Sequence, residues 1–149
     1  MRVAMLTLSF LLLLGAGPCR PSQSAVPGTS KAAPRRSVES VAAALRAGGF
    51  PVRMADDTIT QPFFSVPARV LVIGEADLQV YQYPSSDAAA ADAAKISPSG
   101  SPIGTFMPNW MRPPHIYRND TLILIYLGDD QRVRSALEAL AGPQIAGAR

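Results

Sequence analysis

Apolar residues recur along this chain with two different periods. Val38, Val41, Ala42 and Leu45 fall at i, i+3, i+4 and i+7, the spacing that draws a single stripe along a helix. Ser37 stands at the N-cap position, Glu39 lies in the first turn, and Gly48-Gly49 end the run, so the pattern predicts a first helix between them. Its stripe is narrow and rich in alanine, and such a helix needs a sheet to lie on. Residues 50–55 carry a weaker strand signal, after which Asp56-Asp57-Thr58 and Gln61-Pro62 predict an irregular crossing.

The period then changes. Val70-Leu71-Val72-Ile73 is a continuous branched run inside residues 68–73, which suits an interior strand. Gly74-Glu75-Ala76-Asp77 has hairpin length, and residues 78–83 follow as a second strand paired antiparallel with the first. Ser86 and Asp87 are placed to cap an alanine-rich helix over residues 88–95. Residues 97–102 are a Ser, Pro and Gly loop cluster, and residues 103–107 read as a further strand. Pro108, Pro113 and Pro114 break the ladder, so residues 109–114 are expected at the surface or at a sheet edge. Residues 115–118 are short and extended, and Asn119-Asp120 turn the chain into residues 121–127, an apolar run expected at the sheet centre with both faces covered. Asp129 or Asp130 caps a last helix whose stripe is Val133, Ala136, Leu137 and Leu140, and Gly142-Pro143 stop it. The order is helix, an optional strand, then strand-strand-helix twice. It predicts an α+β fold: a two-layer sandwich, with an antiparallel sheet carrying helices on one face.

The N-terminal residues change the picture most. Met1-Arg2 start the chain with a positive charge, residues 3–14 are almost wholly apolar, and Gly15-Ala16-Gly17-Pro18 lead to Cys19. This is the outline of a secretory signal, and its apolar run is shorter than the roughly 20 residues that span a bilayer core. Cys19 is the single cysteine of the chain, so it has no disulfide partner within it. Its position resembles the lipobox of bacterial lipoproteins, in which the cysteine receives a diacylglycerol and further acyl chains such as palmitate and becomes the mature N-terminus. Ala16 replaces the usual Leu of that motif, and Pro18 directly precedes the cysteine. The alternative is cleavage by a conventional signal peptidase after Ser22-Gln23-Ser24, which discards Cys19. The expected organisation is a signal peptide over residues 1–18, a lipid-anchored linker over 19–37 and one domain over 38–149. The linker is rich in Pro, Ser, Ala and Gly, and eighteen flexible residues span roughly 25 Å.

Charge follows the same division. The pI of 9.4 suggests a nucleic-acid partner, yet residues 1–37 hold five basic and no acidic residues, whereas residues 38–149 hold nine basic and eleven acidic ones. The basic balance belongs to leader and linker. No cluster of Lys and Arg marks the domain, which argues against nucleic acid as a partner.

Reactive chemistry is sparse. His115 is the single histidine, too few ligands for a zinc site and without a motif that would make it a general base for Ser97 or Ser101. Asp56-Asp57 read as a loop pair and Asp129-Asp130 as a helix cap. No catalytic residue, metal or cofactor is expected. The candidate binding stretch is residues 107–117, where Met107, Trp110, Met111, His115 and Tyr117 sit among Pro108, Pro113 and Pro114. Trp and Tyr are favoured interface anchors; the alternative is that Trp110 plugs the open end of the sandwich.

Leu78-Gln79-Val80-Tyr81-Gln82-Tyr83-Pro84, Ile96-Ser97-Pro98-Ser99-Gly100, Trp110, Pro113-Pro114-His115-Ile116-Tyr117, Leu122-Ile123-Leu124-Ile125-Tyr126 and Gly142-Pro143-Gln144 resemble small uncharacterised bacterial lipoproteins over about residues 65–147. The resemblance implies an anchor and one compact domain, and carries no activity or ligand. The expectation is a non-enzymatic envelope lipoprotein, held on the membrane and facing the periplasm or exterior, that binds a protein or envelope component. Arg20 follows the cysteine in place of the Asp associated with inner-membrane retention, which favours the outer membrane. The alternatives are a structural or assembly factor of the envelope, a freely secreted binding or inhibitor domain, and a hydrolase using His115.

Overall fold

The most apolar segment sets the architecture. In the computed structural model, which describes residues 36–149, strand β5 (Leu122–Leu127) is buried on both faces along nearly its whole length. It lies inside a six-stranded sheet of order β1-β2-β3-β5-β4-β6, in which every pair is antiparallel. The other strands are β1 (Val52–Ile59), β2 (Ala68–Ile73), β3 (Ala76–Gln82), β4 (Pro114–Asn119) and β6 (Ala146–Gly147). With helices α1 (Val38–Ala47), α2 (Ser86–Ala93) and α3 (Gln131–Ala141), this is an α+β fold with its elements in the expected order. The leader, the linker up to residue 35 and Cys19 lie outside the described residues.

Side chains alternate across each strand, and the alternation divides the core in two. Leu122, Leu124 and Tyr126 of β5 join Leu78 and Val80 of β3 and Tyr117 of β4 beneath α1 and α3. Val38, Val41, Ala42 and Leu45 of α1 are all buried there, so the predicted stripe is the packed one. Ile123 and Ile125 point the other way and meet Tyr81, Ile116 and Ala89 of α2. The layering with helices on one face therefore holds for α1 and α3, while α2 covers the opposite face. A strand apolar at every position requires this, because helices on one side alone would leave Ile123 and Ile125 in water. Burying each such side chain contributes about 1.5–3 kcal/mol.

Local chemistry fixes the ends. Ser37 and Ser40 close a capping box on α1, Ser85 caps α2 through the Ala88 amide at 3.2 Å, and Asp130 caps α3 through the Arg132 amide at 2.8 Å. Gly74 at φ 62° makes the tight β2–β3 turn, and Asp120 at φ 48° the β5 entry, a conformation that Asp tolerates better than most residues.

Three local expectations change. Residues 52–59 form one longer strand, and Asp56-Asp57 are the exposed part of a register shift between Met54 and Thr58, which breaks up this edge of the sheet. Residues 103–107 make a tight turn in place of a strand: Ile103 and Phe106 bond to each other, at 2.9 and 3.0 Å, around Gly104 at φ 59°. Pro102 and Pro108 flank this turn and remove ladder donors. Strand β6 is too short to leave a period in the sequence, and is held on β4 by the Ile145 and Ala148 amides, which donate to the carbonyls of Ile116 and Pro114 at 2.8 Å each.

Candidate functional site

Helix α2 is only eight residues long and leaves part of its face of the sheet without a helix. There, over Asp77 and Gln79 of β3 and Leu127 of β5, lies an open groove of about 590 Å3. Its walls come from the loops before and after α2's territory, with Phe63 on one side and Phe106, Met107, Trp110, Met111 and Arg112 on the other.

The first wall is positioned by a buried acid. Asp92 on α2 is 3% exposed; its Oδ2 accepts from the Ser65 amide at 2.7 Å and the Ser65 hydroxyl at 2.8 Å, and its Oδ1 from Lys95 Nζ at 2.5 Å. Burial raises the affinity of this carboxyl for a proton, but the bonds from Lys95 and Ser65 outweigh it and hold the group below the ordinary carboxylate range. Burial beside Asp92 pushes the Tyr83 hydroxyl strongly upward. This clasp ties the 61–66 loop to α2, setting Phe64 edge-on to Tyr81 at 4.5 Å and Phe63 edge-on to Trp110 at 6.2 Å.

Trp110 combines both roles weighed for it. Its indole nitrogen donates to the Gly100 carbonyl at 3.1 Å and it packs at the rim of the second core cluster, yet it is only half-buried and its remaining surface lines the groove. The lips are apolar and in water: Met111 is 96% exposed, Met107 75% and Phe106 43%. At the floor, Gln79 Oε1 accepts from the Tyr81 hydroxyl at 2.8 Å.

Of the five domain residues singled out from sequence, the groove unites Met107, Trp110 and Met111 and excludes His115 and Tyr117. Both lie in β4 on the side of Tyr126, under α1 and α3, and are 2% and 0% exposed. Pro114 begins the strand, so the loop ends there and alternation carries positions 115 and 117 to the far face. His115 Nδ1 bonds Gln144 Oε1 at 3.1 Å, while its Nε2 and the Tyr117 hydroxyl are buried without partners among the described residues. Burial pushes Tyr117 up to about 12. Among the described residues no hydrogen bond joins His115 to Ser97 or Ser101, and no three His, Cys, Asp or Glu side chains gather to hold a metal. Sequence reasoning missed Phe63 and Phe106; a paired Phe63-Phe64 between Pro62 and Pro67, in a segment too irregular for a core strand, was the available signal.

No family model, no curated protein and no solved structure matches this chain. No helix among the described residues is long and apolar enough to cross a membrane.

Proposed function

We propose that this protein is a non-enzymatic binding module of the bacterial cell envelope, lipid-anchored through Cys19, that engages an envelope protein through the Trp110 groove. The observation that carries the binding half is the concentration of exposed apolar bulk: of the four large hydrophobic residues that stand in water among those described, Phe106, Met107 and Met111 line this groove, and Ile145 is the exception. Methionines suit such a lip, because their unbranched side chains adapt to a partner's shape. The tether half rests on the leader and the lone cysteine, and two or more acyl chains would hold the protein firmly where one would not.

Two experiments test the halves separately. The mature N-terminal peptide from the host's membrane fraction should carry an acylated Cys19, and Cys19→Ser should move the protein to the soluble fraction; an unmodified terminus near Ala25 would make it a secreted domain instead. Copurification from the host envelope should yield a partner with the wild-type chain and lose it with Phe106→Ser, Met107→Ser and Met111→Ser combined. A partner retained by that triple variant would remove the groove from the proposal.

A further inference from the structure

The groove is not uniformly apolar. Glu75 and Asp77, both exposed, line it, and among the described residues neither lies within ion-pair distance of a base. Arg112 is the one basic residue in the lining. Arg112 and Glu75 both also border the neighbouring hollow that holds Asp129 and Asp130, so the two hollows together set four carboxylates against this one base. The groove lining also carries three aromatic rings, a buried Phe63 flanked by the more exposed Phe106 and Trp110 at 6.2 Å each.

Aromatic faces attract cations that come within about 6 Å of the ring centre, and a lysine or arginine lays its methylene stem on apolar surface while keeping its charge at a polar rim. We infer that the occupant is a peptide segment of a partner protein bearing a lysine or arginine among apolar side chains. Its stem lies along Phe106 and Trp110, its charge meets Glu75 and Asp77, and its apolar neighbours meet Met107 and Met111. An acidic segment would bring its charge against two unpaired carboxylates. This inference rests on the groove being a binding surface and adds the chemistry of what binds.

Trp110 is the single tryptophan of the chain, so its emission reports the groove directly. The full chain, anchored in phosphatidylcholine vesicles, would be titrated with three hexapeptide pools that alternate serine with apolar residues and differ at one central position: lysine, glutamine or glutamate. The lysine pool should shift Trp110 emission saturably and bind about fivefold or more tighter than the glutamine pool, two screened carboxylate contacts at a partly desolvated site being of that order. Added salt should narrow the difference, and Glu75→Gln with Asp77→Asn should erase it without moving the melting temperature. Equal binding of the lysine and glutamine pools would overturn the cationic inference and leave the groove as an apolar binding surface. No response to any pool would overturn both. A shift on exchanging the lipid for phosphatidylglycerol, with no peptide present, would also overturn it, in favour of a membrane surface as the occupant.

Discussion

Truncating Asp92 tests whether one buried acid sets the wall of the groove. Asp92→Ala removes two charge-assisted bonds to Ser65, at 2.7 and 2.8 Å, and leaves the Ser65 amide without its acceptor. Bonds to a charged group contribute about 1.5–3 kcal/mol each. The Lys95 contact adds little, since that side chain is 47% exposed and surface ion pairs contribute roughly 0–1 kcal/mol. The relief of carboxylate desolvation and the better helix propensity of alanine offset part of the loss. The expected net loss is about 3 kcal/mol, which for a domain of this size lowers the melting temperature by roughly 12 °C. Urea unfolding followed by far-UV circular dichroism and by Trp110 emission measures it. Emission should also redden before unfolding, because the loop carrying Phe63 is released from the indole. Acid adds a second reading. The Asp92 carboxyl is held below its ordinary range in the folded state, so its contribution is complete above the unfolded value of about 3.9 and is lost as pH falls through the folded one. Wild type should therefore lose stability more steeply than Asp92→Ala below about pH 4. A loss under 1 kcal/mol, with unchanged emission, would refute the clasp.

Further predictions concern the two faces and the last strand. Trp110→Ala should lower stability by only about 2 kcal/mol, since the indole is half-buried and has one hydrogen bond, while abolishing peptide binding; a loss above about 4 kcal/mol would make the residue a core plug. At Gly147 (φ 100°) an added Cβ would lie 1.9 Å from the Pro114 carbonyl oxygen, so Gly147→Ala should detach β6, and hydrogen exchange at Ile145 and Ala148, whose amides bond to β4, should rise to that of free chain. All four tyrosines are raised above the ordinary phenol range, with burial the largest cause at each. Because the unfolded chain ionises first, the tyrosine contribution to stability should be constant below about pH 10 and fall above it, and an ultraviolet titration of the folded protein should show no tyrosine ionising normally near pH 10.

What the sequence revealed follows from how local each cause is. The α1 stripe, the α3 cap at Asp129 or Asp130 and the β2–β3 turn were legible because each is set by residues a few positions apart, and β5 because an unbroken apolar run has few places to go. The same run held the answer to where α2 packs, since Ile123 and Ile125 need a cover of their own. His115 and Tyr117 looked like neighbours of Trp110 because they are close in the chain; whether Pro114 ends the loop or continues it decides which face they reach, and that depends on pairing with β5. The groove itself was illegible. It is what remains where a short helix stops covering the sheet, and its first wall depends on Asp92 meeting Ser65, 27 residues away.

The most direct test of the groove as the working surface is photocrosslinking in the native host. A photoreactive residue would replace Met111 on the lip or, as a control, Asp87 on the exposed side of α2. The proposal predicts a discrete adduct with an envelope protein from position 111, found in the membrane fraction and absent from position 87. No adduct from position 111, or the same adduct from both positions, would contradict it.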